Sequence, residues 1–442
     1  MNHAETLLGR IAERWSAVRF DDLPPEAAEV GRHCMLDWLG CALAGSREPL
    51  SLILREELCD GEATVVGAGR SASARDAAVV NGAAGHALDF DDTHLLLSGH
   101  PTAPVLPAAL AVAEALDAPG ERLLTALVVG VEVECRVGAL LNPGHYQAGW
   151  HATGTVGTLG AAAAAAHLLG LDAGRTAHAL ALAGTQASGL KASFGTMAKP
   201  LHAGKAAADG LLAARLASRG FTGTPALLEA PQGLGAAAGG VALDPCRLDG
   251  LEGRWTIRDT LFKYHAACYL SHASINAALA LAGRVPVDDV ERVDVHVAEE
   301  LLQVCDIAEP RTGLEGKFSL RATTAMALLG DDTTDMAAFT DARMADDDLV
   351  ALRARVRVVS EPDRPATRSK VVVATRAGAR LEADDDTGRP ADDLGQQWER
   401  LSSKFRGLAA PVVGAEEAER LRRAVADLAP ARALALLARG RR

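Results

Sequence analysis

The chain has 442 residues, with 57 acidic against 45 basic side chains, a formal net charge of −12, and 49% apolar against 23% charged residues. That balance excludes wholesale disorder and argues against a general binder of nucleic acid or of an anionic membrane, either of which needs a basic face. Aromatic residues are only 4% while alanine is abundant, which favours close-packed helices over a β-sandwich.

Seven cysteines with no CxxC pair point to reduced thiols and a cytoplasmic location rather than a disulfide framework or zinc ribbon. The opening MNHAETLLGRIAERW alternates charge with apolar residues and lacks the apolar stretch of a signal peptide. The most apolar region, Leu123 to Leu141, carries Glu132, Glu134 and Arg136, so it reads as a buried helix and not as a bilayer span.

From the N-terminus to about residue 260 the pattern is helical. Ala27–Ala44 and Arg122–Leu141 place apolar residues three and four apart, and Gly154–Gly170 is almost all small residues, as in a central helix surrounded by others. Near residue 285 the period changes to two: Val290–Glu300, Ala354–Pro362 and Ser369–Asp386 read as strands, with Ala377-Gly378 as a hairpin turn and Ser319–Asp331 as a helix between them. The tail from Asp392 returns to helix-forming residues. The expected fold is therefore mainly α with a smaller α+β domain: a helical domain over 1–264 completed by 396–442, and an α+β lid over 265–395.

Chemistry-bearing residues gather in four places. Asn81–Pro104 packs His86, Asp89, Asp91, Asp92, His94 and His100 into fifteen positions, carboxylates and imidazoles suited to acid–base work, with helix capping as the alternative role for Asp91 or Asp92. Asn142–Gly157 holds His145 and His151, followed by Thr153 and glycines fit for a helix N-terminus that attracts a carboxylate. Ser193–Gly210 contains Lys199 and His202; lysine is scarce in this chain, with seven in all, so Lys199 is a candidate for holding a substrate carboxylate or moving a proton. Leu261–Leu281 brings Lys263, His265, Cys268 and His272 to the proposed domain junction.

No GxGxxG follows a strand, and GxxxxGK[ST], HExxH and GxSxG are missing, so nothing calls for NAD, ATP or a serine nucleophile. His86, Asp89, Asp91 and His94 could ligate zinc, iron or manganese, but their spacing matches no specific metal motif. We expect neither metal nor cofactor.

The blocks HALDFDDTH, GHP, GWHATGTVGTLGAA, FGTMAKPLHAGKAA, FKYHAACYLSH and EGKFSL, in this order from near residue 80 to about 320, resemble the MmgE/PrpD family, which includes 2-methylcitrate dehydratase, cis-aconitate decarboxylase and iminodisuccinate epimerase. The resemblance implies an all-helical first domain built from both chain ends, a smaller α+β lid, a homodimer and metal-independent catalysis. Carried over by motif, the catalytic residues are Asp89, His100, His151, Lys199 and Lys263. His86, Asp92, Thr153, His202, Cys268 and His272 are expected around the substrate. Cys268 stands where the decarboxylase branch has a histidine, and Ala322 stands where the dehydratase and decarboxylase branches have a tyrosine. The expected activity is proton transfer next to a carboxylate of a small polycarboxylate by a dehydratase-type lyase. An iminodisuccinate-type epimerase, a metal-dependent hydrolase using His86, Asp89 and His94, and a non-catalytic family member are the alternatives. A small carboxylated substrate is the expected partner, with neither nucleic acid nor membrane.

Overall fold

The computed structural model describes residues 5–238, 240 and 243–440; the outermost positions of the expected helical domain, 1–4 and 441–442, lie outside them. Two units result, Met1–Phe262 with Ala391–Arg442, and Lys263–Pro390.

The first unit is helical apart from a two-stranded antiparallel hairpin, β1 (Ala63–Val65) and β2 (Arg70–Ala72). Its main helices are α1 (Leu7–Trp15), α2 (Pro25–Gly45), α3 (Ala74–His86), α4 (Thr102–Ala115), α5 (Gly120–Leu141), α6 (Ala152–Leu168), α7 (Ala173–Gly184) and α8 (Ala198–Ser218). Helix α6, ATGTVGTLGAAAAAAHL, has almost every side chain buried and packs against α4, α5, α7 and α8. A helix so enclosed has no polar face, and its small side chains let neighbouring backbones come close. A methyl added to Gly210 of α8 would lie 2.6 Å from Ala162 N, and one on Gly157 would lie 2.6 Å from Pro104 Cγ.

The same economy governs the crossing of α3 and α8. A Cβ on Gly82 would meet Gly204 Cα at 2.8 Å, and a Cβ on Gly204 would meet the Val79 carbonyl oxygen at 2.1 Å. Because the two backbones touch there, His86 at the end of α3 and Lys199 at the start of α8, each about one turn from the crossing, are brought to the same side of the unit.

The second unit contains α9 (His272–Leu279), α10 (Leu320–Leu329) and a four-stranded sheet of β3 (Val290–Ala298), β4 (Val356–Glu361), β5 (Arg368–Thr375) and β6 (Arg380–Asp386) in the order β4-β3-β5-β6. Strand β3 pairs parallel with β4, Val295 facing Val358, and antiparallel with β5, Val295 facing Val371. Val293, Val295 and Val297 are buried, as are Val371 and Val373 opposite them, so period-two alternation sets the register. The β5–β6 hairpin turns at Gly378, whose φ of 85° lies where a side chain is strained. Ser319 caps the N-terminus of α10, and Gly330, in the left-handed conformation, closes it.

The chain then returns to the first unit as α11 (Leu394–Val413), α12 (Ala415–Ala426) and α13 (Ala431–Ala438). Helix α11 packs on α2, where Lys404 donates to Asp37 Oδ1 and to the Phe90 carbonyl, both at 2.6 Å. Among the described residues, no helix is long and apolar enough to cross a membrane.

Candidate active site

The site is built on the ends of three helices and the segment joining α3 to α4. His86 ends α3, and the chain immediately turns at Asp89, whose φ of 50° is one of the few left-handed values at a residue other than glycine. That turn sends the next two carboxylates to different tasks. Asp91 accepts from His86 Nδ1 at 2.9 Å, and its Oδ2 lies 3.3 Å from His100 Nδ1. Asp92 turns to the start of α4, accepting from the Thr102 amide at 3.2 Å and from its hydroxyl. Its carboxylate serves the helix end and is almost fully buried.

Asp89 itself faces outward to Lys199, whose Nζ donates to Oδ1 at 2.7 Å; His100 Nε2 lies 3.5 Å from the same oxygen. His100 can sit there because Gly99 lets the backbone run against the start of α6. A Cβ at residue 99 would lie 2.9 Å from Thr153 Oγ1, which accepts from the His100 amide at 3.0 Å. Thr153 is thus a support for His100.

His151 occupies the N-cap of α6, its amide donating to the Gly189 carbonyl at 3.0 Å. The ring stacks on His86 with centroids 5.6 Å apart, meets Phe194 edge-on at 5.0 Å, and places Nδ1 3.1 Å from Nδ1 of His202. Lys199 Nζ lies 5.1 Å from the centre of the same Phe194 ring. Asp89, His100, Lys199, His86, Asp91, His151 and His202 therefore form one cluster in the first unit. Lys263, Cys268 and His272 lie in the second unit, where His272 contacts the Ala267 carbonyl at 3.2 Å and His265 bridges Thr333 and Asn276 at 2.8 Å each.

The electrostatics separate the imidazoles. Burial lowers His86 to about 4 even though Asp91 favours its charged form. Burial, with the charges of His86, Lys199 and His100 added, drives His151 far below the usual histidine range. Burial opposes ionisation of Asp91 too, but the two flanking histidines win and hold it well below the usual carboxylate range. Asp92, buried and close to Asp37, is pushed up to about 8 and is a neutral acid at pH 7. The site therefore rests with a neutral imidazole, His151, beside an ammonium and carboxylates.

His86, Asp89, Asp91 and His100 each offer a ligand atom, all within 4.8 Å of one another, so a divalent ion is sterically conceivable. The Lys199 ammonium, however, lies 2.7 Å from Asp89, where a metal would need that oxygen, and Asp91 is committed to two imidazoles. A fixed cation already serves this carboxylate set, so the donors do not fit a resident metal well.

Phe194 and Lys404 are the residues that motif reading passes over, while Asp91 is missing only from the set carried over from the family. Asp91 belongs to the conspicuous acidic cluster. Lys404 stood out only as one of the scarce lysines, with nothing in its local sequence linking it to residue 90.

An enclosed helical unit bearing an Asp–His–Lys cluster, followed by an α+β unit, is the arrangement of a known enzyme family. The family model described as the MmgE/PrpD N-terminal domain matches residues 9–242, and that of the MmgE/PrpD C-terminal domain matches 265–429. The chain belongs to the MmgE/PrpD family. It is 30% identical over 367 residues to the cis-aconitate decarboxylase of Mus musculus, covering 78% of this chain and 74% of that one. With the Homo sapiens protein of the same name it shares 31% over 373 residues, covering 80% and 76%. With that of Aspergillus terreus it shares 32% over 284 residues, covering 60% and 58%.

Proposed function

We propose that the chain is a lyase acting on a small polycarboxylate by proton transfer at the carbon next to a carboxylate, with dehydration of a 2-methylcitrate-like hydroxy acid as its reaction. The carrying observation is geometric: the His151 ring stacks on His86 and meets Phe194, the ring that Lys199 also approaches, beside the Lys199–Asp89–His100 cluster. A carbon acid of this kind is weak. Its ionisation needs a base within reach and a fixed positive charge near the carboxylate that takes up the developing enolate charge. In this reading His151 takes the proton, Lys199 moves from Asp89 to the substrate carboxylate, and His100, flanked by Asp89 and Asp91, supplies the proton that lets hydroxide leave as water. The family resemblance adds Lys263, of the second unit, as a further catalytic candidate.

Decarboxylation of a cis-aconitate-like substrate is the second reading, favoured by the names of the relatives. It needs the site to deliver a proton to carbon, so the base of the first reading would have to start protonated. Cys268, at a position where that branch carries histidine, weighs against decarboxylation, whereas Ala322, where the dehydratase and decarboxylase branches both carry tyrosine, separates neither from the other and leans towards the epimerase type. The homodimer and the cytoplasmic location belong to the same proposal and rest on the family resemblance and the cysteine usage.

Proton NMR in deuterated water against citrate, 2-methylcitrate, cis-aconitate and iminodisuccinate tests the choice. Alkene formation from a hydroxy acid is expected. Loss of a carboxylate as carbon dioxide would instead select decarboxylation, and deuterium uptake without net conversion would select epimerisation.

A further inference from the structure

Each dehydration leaves a proton on the base, and a buried base must pass that proton to water before it can act again. His151 is buried, with a relative exposure of 2%, while His202 is only half-buried. The two Nδ1 atoms stand 3.1 Å apart. Two ring nitrogens at that distance share a single proton, one donating and the other accepting. His202 is closely packed on one side. His202 rests against two glycines, for a Cβ on Gly154 would lie 2.8 Å from His202 Cβ and one on Gly189 would lie 3.1 Å from His202 Nδ1. Gly189 also supplies the carbonyl that holds the His151 amide.

We infer that His202 is a proton relay, the group through which His151 exchanges its proton with solvent. This rests on the reading of His151 as the base. The steps balance. The substrate C–H bond breaks, its electron pair stays on carbon, and its proton bonds to His151 Nε2. The Nδ1–H proton of His151 then passes to His202 Nδ1, and His202 releases its Nε2–H proton to water. Both rings end neutral with their tautomers exchanged, His151 carrying Nε2–H and His202 Nδ1–H. Once product has left, water entering the site takes the Nε2 proton of His151, His202 takes a proton from solvent at Nε2, and the shared proton returns across the 3.1 Å contact, which restores the pair. The charges facing the pair favour discharge: Lys199 and Lys205 from α8, His86 from α3 and His100 from the α3–α4 segment all disfavour a lasting imidazolium on either ring.

The test uses two variants of the full chain. His202→Asn keeps an amide where Nδ1 lies, so it can still orient His151, but it cannot carry a proton through. His202→Ala removes both functions and opens a space for added imidazole. We expect kcat to fall at least about tenfold in both, with KM changed by less than about threefold, and imidazole buffers to restore kcat in His202→Ala in proportion to their basicity. Normal turnover by His202→Asn would overturn the relay and leave an orienting role alone, and so would His202→Ala that ignores added buffer. If the wild type turns over no polycarboxylate, the failure falls on the functional reading. The relay is then read without substrate, from hydrogen exchange of the His151 ring N–H in 15N-labelled protein. Slower exchange in His202→Asn supports it, and unchanged exchange overturns it.

Discussion

Gly82 and Gly204 touch where α3 crosses α8, and this contact between two residues without side chains is what brings His86 and Lys199 into one cluster. A methyl on Gly204 would lie 2.1 Å from the Val79 carbonyl, so Gly204→Ala must push the helices apart. We expect it to cost about 1–3 kcal/mol, as overpacking does, and to lower turnover as well because the crossing sets the site. Gly407, exposed in the middle of α11 with nothing near its missing Cβ, should respond with the opposite sign. Gly407→Ala is expected to stabilise by about 0.5–1 kcal/mol. Urea unfolding of the two variants checks both signs.

Lys404 ties helix α11 to the cluster by holding the Phe90 carbonyl, between Asp89, which contacts Lys199, and Asp91, which contacts His86. It is also the ion-pair partner of Asp37, and both side chains are almost fully buried. Lys404→Met leaves Asp37 without its lysine in a low-dielectric setting, so a loss of about 3–5 kcal/mol is expected. Lys404→Met with Asp37→Asn should recover much of the stability but little of the activity, since the Phe90 carbonyl is still released. Unfolding and turnover measured on the same samples separate the two effects; equal recovery of both would show that Phe90 needs no such tether.

Stability should depend on pH with two opposing slopes. His86 and His145 are lowered to about 4 in the fold, so between about 4 and 6.5 the unfolded chain binds more protons than the folded one. Their contribution is complete above about pH 6.5 and shrinks as pH falls towards 4. Asp92, raised to about 8, does the reverse: from the ordinary carboxylate range up to about 8 the folded state binds the extra proton, and stability falls as pH rises. Asp92→Asn, which imitates the neutral acid, should therefore gain on the wild type steadily between pH 5 and 8. A constant difference across that range would show that Asp92 is ionised in the fold.

Much of the fold was legible because burial writes a period into the sequence. The switch from three- and four-residue spacing to alternation announces β3 at Val290, and Ala377-Gly378 marks a turn because Gly378 takes a positive φ. The small-residue run of α6 announced a helix enclosed by others. The site was legible only as ingredients. Asp91 and Asp92 are neighbours of the same type, and the left-handed turn at Asp89 decides that one holds two histidines while the other caps α4. Nothing in the local residue pattern separates them. His202 and His151, 51 positions apart, meet through α8 and the Gly189 segment, and Lys404 reaches Phe90 from 314 positions away. Such pairings are products of packing and leave no local trace.

The four-ligand cluster makes a definite statement about metals. With Lys199 against Asp89, exhaustive chelation should leave the wild type fully active, and calorimetry with zinc or manganese should show no stoichiometric binding. Lys199→Met removes the competing charge and should raise divalent-ion affinity at His86, Asp89, Asp91 and His100. Activity lost to a chelator and restored by one ion would refute this and revive the hydrolase alternative.

Lys199 is the sharpest test of the site as a whole. Its ammonium is partly exposed, with 16% of the side chain accessible, and its partner Asp89 is more open still at 28%. An ion pair this accessible contributes little to stability, about 0–1 kcal/mol, so its removal should leave unfolding nearly unchanged. The same ammonium is the charge best placed to meet a substrate carboxylate beside His151, and no neighbouring lysine can replace it: Lys205 is bound to Asp209 and the Gln186 carbonyl, and Lys191 to the Tyr146 carbonyl and ring. Lys199→Met should thus lower kcat/KM by about 10²–10⁴ with an unchanged unfolding midpoint. His151→Gln should fall in the same range, and the double variant should be little worse than either alone, because in the proposed reaction both act on one proton transfer. A Lys199→Met enzyme with normal turnover, or a double variant whose losses multiply in full, would show that the two residues do not serve the same step.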